Sequence, residues 1–320
     1  MVDLRPCVLE RKILPKVWGG RALSSVLGLD LPGEEAIGET WELYDRKDGS
    51  SQIRGSDETL RDWMVADATG VLGRGVQAAR DGYFPLLIKY IDAADKLSVQ
   101  VHPDDARAAA EGDMGKSEAW VVLGKGPNAR IVCGFAPGVS EEEFRQVAHT
   151  DAVEGLLHAF EPEVGQGIYV PAGTVHAIGP DVVVYEVQQN SDITYRLYDW
   201  GRPRETHVEK ALEVTRIDDG LAPTGAAEID AQSAWLFRNA FFTTRRSCIE
   251  SPATLGTEGT FKILSVIEGR GTLGWQSASL APPIVLNQGD TVLVPACVDV
   301  TFLSPIGKME LLVSGPGGSK

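Results

Sequence analysis

Short apolar runs broken by Gly, Pro or Asp recur through the middle and end of this chain of 320 residues. FPLLIKYI (84–91), LSVQVH (97–102), EAWVVL (118–123), ARIVCGF (129–135), GIYVPA (167–172), VVVYEVQQ (182–189) and ITYRLY (193–198) are rich in β-branched and aromatic residues, as strands are. FKILSVIEG (261–269), PIVLN (283–287) and DTVLVPA (290–296) continue the style. The pattern predicts an all-β-dominated chain built from sandwiches or barrels. Helical periodicity is local. It predicts helices over 57–67, behind a cap at Ser56 or Asp57, over 139–160, with an acidic first turn, and over 204–217. These read as insertions on a β framework.

The runs repeat. VLGKG (122–126) precedes GIYVPAGTVHAIG (167–179), and VIEGRG (266–271) precedes GDTVLVPACVDVTFL (289–303). The VPA tripeptides lie 124 residues apart and the Gly turns 145 apart, so the first copy holds 21 extra residues. Two copies of one small β-barrel are implied, an N-terminal domain over 1–225 and a C-terminal one over 226–320. On this alignment His176 answers to Val300 and Glu118 to Ile263. The second copy lacks the polar pair, so any metal belongs to the first.

Residues alternate faces along a strand, so Ser98, Gln100 and His102 point one way and Val99 and Val101 the other. Such a polar row on an inner face is costly unless it binds something. GKSEAWVVL sets Lys116 and Glu118 on one face of the next strand, and VPAGTVHAIG brings in His176. Two imidazoles and a carboxylate, with an amide oxygen nearby, suit Zn²⁺ with a position left open for water or substrate. His149, His158 and His207 fall in the helical segments and read as solvated or capping residues. Asp104 and Asp105 read as a turn that caps the segment after them.

Composition narrows the choice. With 43% apolar and 23% charged residues this is an ordinary globular chain. Cys7, Cys133, Cys248 and Cys297 stand singly, which suggests neither a disulfide framework nor a thiolate metal site. A charged N-terminal stretch and the lack of a long apolar run predict a cytoplasmic protein with no membrane partner. A net charge of −15 argues against nucleic acid. It also requires that an anionic substrate meet locally concentrated Lys and Arg.

FPLLIKYIDAADKLSVQVHPDD, GKSEAWVVL, VPAGTVHAIG and EVQQNSDITYRLYDWGR, in this order and at these separations, resemble the signatures of the type I phosphomannose isomerases in their short bacterial form. The resemblance is good over roughly 10–220 and weak beyond. It implies a double cupin and a zinc ion in the first barrel held by Gln100, His102, Glu118 and His176. It implies Ser98, Lys89, Lys116, Asp192 and Arg196 as substrate-site positions, and interconversion of mannose 6-phosphate and fructose 6-phosphate through an enediol. Lys116 and Asp192 are the candidates for proton transfer, and Arg196 for stabilising the enediolate. Ser98 and Lys89 offer a hydroxyl and a charge to the phosphate, with Arg202 of DWGR a further candidate.

GETWELYDRKDGSS carries Tyr44–Asp45–Arg46 where many family members have small residues and a histidine, so sugar specificity is less fixed than reaction type. Trp18 and Trp41 are open to two readings, lining of a sugar site or core, with core preferred. Rival readings are another metal-dependent cupin enzyme, acting on a different sugar phosphate or as an oxygenase or epimerase, and a non-catalytic sugar-phosphate-binding paralogue. Gln100 and Lys116 do not fit a cupin oxygenase. Retention of Gln100, His102, Lys116, Glu118, His176 and Arg196 together, in one barrel only, speaks against decay. Monomer and homodimer are both open.

Overall fold

The computed structural model describes residues 2–217, 227–230, 232–276 and 281–318. Among these the strands pair antiparallel into two sandwiches of one plan. In the first, a six-stranded sheet ordered 167–170, 118–125, 182–189, 86–93, 37–43, 12–20 faces a five-stranded sheet ordered 157–160, 131–135, 176–178, 99–101, 195–198. In the second, a seven-stranded sheet ordered 7–8, 291–294, 262–268, 309–316, 242–249, 233–238, 227–230 faces a four-stranded sheet ordered 253–256, 300–305, 271–275, 284–286. The central strand orders correspond one to one, as the duplicated sequence predicts. The fold is the mostly-β double cupin expected.

The ladders correct one detail. Val170 of the first VPA pairs with Glu118, and Val294 of the second pairs with Lys262. Glu118 therefore answers to Lys262, not Ile263. Counting from the Gly turns slipped by one residue because turns vary in length while paired residues do not. The other equivalence holds: His176 pairs with Gln100, and Val300 with Gly256. The boundary expected at 225/226 lies outside the described residues. The short Cys7–Val8 strand pairs with Thr291–Val294, so the start of the chain is tied to the second sandwich.

Two-residue alternation decides what each sheet presents. From the strand 86–93, Leu86, Ile88 and Tyr90 join a core shared with Ile263, Leu293 and Leu312 of the second sandwich. Ile91 and Ala93 instead face inward, packing with Trp120, Ile131, Ile168 and Val184 between the first sandwich's own sheets. The two large sheets thus lie back to back. On the five-stranded sheet, Val99, Val101, Ala177 and Leu197 face outward, beneath Phe144 and Ala211 of the helical segments. The polar residues interleaved with these apolar ones must therefore project into the first sandwich.

All three predicted helices depart from expectation. The first runs Leu60–Leu72 behind Thr59, not Ser56 or Asp57, because Thr59 and Asp62 form a reciprocal capping box. The segment 139–160 breaks into an α-helix Glu141–Val147, a 3₁₀ segment Asp151–Leu156 begun by the Thr150 side chain, and a strand Leu157–Phe160. Pairing with Ile131–Phe135 claims that last stretch. The third helix is shorter than expected, Val208–Val214.

Phe84 and Phe261, one from each half, are fully buried with ring centroids 4.6 Å apart. Phe261→Ala should lower the unfolding free energy by about 3–5 kcal/mol, read from urea denaturation. A loss under about 1 kcal/mol would contradict a core shared between the halves.

Candidate active site

Alternation gathers the predicted ligands at one end of the first sandwich. Gln100 and His102 come from the strand 99–101 and its end, Glu118 opens the strand 118–125, and His176 opens the strand 176–178. One donor atom each from His102, Glu118 and His176 lies within 4.8 Å of the others, and all three residues are buried. His102 Nδ1–H donates to the Ile193 carbonyl at 2.8 Å, and His176 Nδ1–H to the Thr174 carbonyl at 2.9 Å. Each ring therefore turns an Nε2 lone pair toward Glu118, at 3.4 Å from His102 and 3.2 Å from His176.

Protonation does not resolve this opposition. Burial and the Lys116 ammonium push His102 down to about 3, so its ring is neutral. Burial opposes ionisation of Glu118, yet the Lys116 ammonium holds its carboxyl well below the usual range. His102 Nε2 and both Glu118 oxygens have no hydrogen-bond partner. A carboxylate facing imidazole lone pairs in a buried site fits a bound cation with mixed nitrogen and oxygen ligands. The Gln100 amide nitrogen stands 3.3 Å from His176 Nε2. A half-turn of that amide offers its oxygen at the same place.

Beside this cluster opens a cavity of about 270 Å³, near the lower end of small-molecule sites. Ser98, Lys89, Lys116, Asp192 and Arg196 line it, as the sequence suggests. Asp192 is exposed, in the segment leading to the strand 195–198, and Arg196 projects inward from that strand. Lys116 Nζ lies 3.5 Å from Glu118. Lys89 is buried, with Nζ 3.1 Å from Glu186 and 3.8 Å from Glu39. Burial works against its charge, but those carboxylates hold its pKa above the ordinary value.

Arg202 does not line the cavity. Its guanidinium donates to the Lys96 carbonyl at 2.5 Å and pairs with Asp199 at 3.0 Å, and Arg204 stands at the wall. The wall also holds Lys16, Trp18, Glu39, Glu186 and Thr194. Two of these had a signal. Glu186 interrupts an apolar run and sits directly opposite Lys89 in the ladder. Glu39 alternates with Trp41, whose indole donates to it at 2.8 Å. Burial opposes ionisation of Glu39, yet Lys89, Lys16 and Trp41 hold its pKa at about 2.

Trp18 is buried but also forms part of the wall, so it is more than core. Arg46 donates to Asn190 at 3.2 Å outside the cavity lining, which bears on the departure at 44–46. His149 pairs with Glu209 at the surface, and His158 packs against Phe160. His207 is not merely a capping residue: its Nδ1 accepts the Arg196 backbone N–H at 3.2 Å. Asp104 caps the helix after it, as expected.

Five cations (Lys16, Lys89, Lys116, Arg196, Arg204) face four carboxylates (Glu39, Glu118, Glu186, Asp192) around the cavity. Local positive charge is thus concentrated against a chain charge of −15, as an anionic substrate requires.

A mannose-6-phosphate isomerase of Streptococcus mutans is 32% identical over 97% of this chain and 98% of its own length. The chain belongs to the type I phosphomannose isomerase family. The family model for the phosphomannose isomerase type I catalytic domain matches residues 7–119. The mannose 6-phosphate isomerase structure from Bacillus subtilis superposes with a TM-score of 0.85 at 31% identity, covering 97% of this chain and 99% of that one. A mannose 6-phosphate isomerase bound with zinc and yttrium shares the phosphomannose isomerase fold, with a TM-score of 0.81 at 18% identity over 98% of this chain and 100% of that one.

Zinc added to chelator-treated protein should raise its thermal midpoint, because a ligand of the native state alone adds stability by mass action. Glu118→Gln should abolish that rise in calorimetry. A rise of equal size in the variant would place the cation elsewhere.

Proposed function

We propose that this chain is a zinc-dependent isomerase that interconverts mannose 6-phosphate and fructose 6-phosphate through an enediol, with zinc held by Gln100, His102, Glu118 and His176. The observation that carries the reading is the Glu118 carboxylate facing two imidazole lone pairs at the wall of a cation-rich cavity. Zinc bound there supplies Lewis-acid charge to the substrate oxygens.

The isomerisation moves a proton from C2 to C1 of the aldose, while the proton on O2 leaves and O1 gains one. Each transfer needs a side chain within hydrogen-bond reach. Lys116, buried beside Glu118, and Asp192, in the cavity wall, are the groups to which we assign this traffic. Arg196 is suited to the charge that develops on the enediolate. Its Nη1 donates to the Glu205 carbonyl at 2.6 Å, while its buried Nε–H has no partner. Ser98 and Lys89 offer a hydroxyl and an ammonium to further substrate oxygens.

A coupled assay following fructose 6-phosphate from mannose 6-phosphate should show turnover that chelation removes and zinc restores. Absence of turnover in zinc-loaded protein would sink the substrate assignment, and turnover indifferent to chelation would sink the metal. Lys116→Met and Asp192→Asn should each lower kcat by about 10²–10⁴-fold in the same assay, as loss of a proton-transfer group does. Near-normal kcat in both variants would remove these residues from the mechanism.

A further inference from the structure

Arg46 belongs to the stretch 44–46 in which this chain departs from its family, and its side chain lies outside the catalytic cavity. Every side of its guanidinium is used. Nη1 donates to Asn190 Oδ1 at 3.2 Å, Nη2 lies 3.7 Å from the Asp113 carboxylate, and Nε lies 3.8 Å from the exposed Asp48. Asp113 stands three residues before Lys116, and Asn190 two before Asp192. One half-buried cation therefore touches both segments that deliver the proposed proton-transfer groups.

Neither segment is strand or helix at this point: 113–117 leads into the strand 118–125, and 190–194 leads out of the strand 182–189. Side chains do the joining that a ladder does elsewhere. Near the metal ligands the link is Gln189, whose Oε1 accepts the Ser117 N–H at 2.9 Å and whose Nε2 donates to Asp105 Oδ1 at 3.0 Å. The same Asp105 oxygen accepts the Gly115 N–H at 2.8 Å. Farther out the link passes through Arg46. Asn190 is buried, and its backbone N–H donates to the Pro85 carbonyl at 3.0 Å. Its Nδ2 donates to the Asp45 and Phe84 carbonyls at 2.7 and 2.8 Å, which leaves Oδ1 for the guanidinium. Arg46 completes that amide and carries its position across to Asp113. A shift of 190–193 would be felt twice. Asp192 borders the cavity, and the Ile193 carbonyl beside it takes the His102 Nδ1 proton. Misplacing a reacting group by about 1 Å can cost about 10²-fold in rate.

We propose that Arg46 is a positioning residue: by tying Asn190 to Asp113 it fixes where Asp192 stands relative to Lys116, while touching neither substrate nor metal. This rests on the isomerase reading given above and on the roles assigned there to Lys116 and Asp192.

The test uses the zinc-loaded protein with two readouts, steady-state kinetics on mannose 6-phosphate and amide hydrogen exchange in peptides covering 110–117 and 187–194. Arg46→Met should lower kcat by about 10–10²-fold, with KM and zinc content near wild type, and should speed exchange in both peptides. Arg46→Gln keeps a donor for Asn190 and Arg46→Lys keeps the charge for Asp113, so each should restore part of the lost kcat. A rise in KM or a loss of zinc that accounts for the lost turnover would overturn the proposal, since a merely structural role predicts that. Wild-type kcat in Arg46→Met, or unchanged exchange in both peptides, would overturn it as well. The exchange readout needs no turnover, so the two claims fail separately. An inactive wild type counts against the isomerase reading, while exchange alone still decides whether Arg46 joins the two segments.

Discussion

The site is organised by one electrostatic opposition, a buried carboxylate on Glu118 that faces the Nε2 lone pairs of His102 and His176. The backbone creates it. The Ile193 and Thr174 carbonyls take the two Nδ1 protons, so neither ring has a hydrogen left for the carboxylate. Lys116 then keeps Glu118 ionised, and burial together with Lys116 keeps His102 neutral. Without a cation between them the three groups would be an unpaid desolvation cost in the interior. With one they are a preorganised site, oriented by contacts outside the coordination sphere.

Such a site needs a wall that is polar on one face only. Back-to-back packing of the two large sheets and the cover of helices over the five-stranded sheet bury the outward residues of every contributing strand. Inward positions are then free to carry Lys89, Gln100, Glu118, His176, Glu186 and Arg196. The second sandwich repeats the strand order without the chemistry. Lys262, Val300 and Gly256 stand where Glu118, His176 and Gln100 stand in the first. Lys262 brings its own positive charge and lies 3.7 Å from Glu258. An ammonium in the carboxylate's place repels a divalent ion. The second half serves instead as the apolar partner on which the first is built.

Much of this was legible in the residues. The row Ser98, Gln100, His102 announces an inner face because strand alternation is rigid, and the repeat locates the chemistry because His and Glu drop out of one copy together. What escaped depends on contacts between distant segments. Arg204 stands at the cavity wall with its guanidinium held by Asp199, and nothing in DWGRPR separates Arg204 from Arg202, which the same carboxylate and the Lys96 carbonyl hold elsewhere. The strand in 157–160 escaped because its helical periodicity was overruled by pairing with 131–135. The one-residue slip at Glu118 came from counting through a turn. Lys16 had no local signal at all.

The most direct test of the cation site is the coordination shell of zinc in the loaded protein, read by X-ray absorption. The account predicts a shell of nitrogen and oxygen only, with two imidazole nitrogens at about 2.0–2.1 Å, and loss of one imidazole in His176→Ala. A sulfur ligand, or a shell unchanged by that substitution, would contradict it.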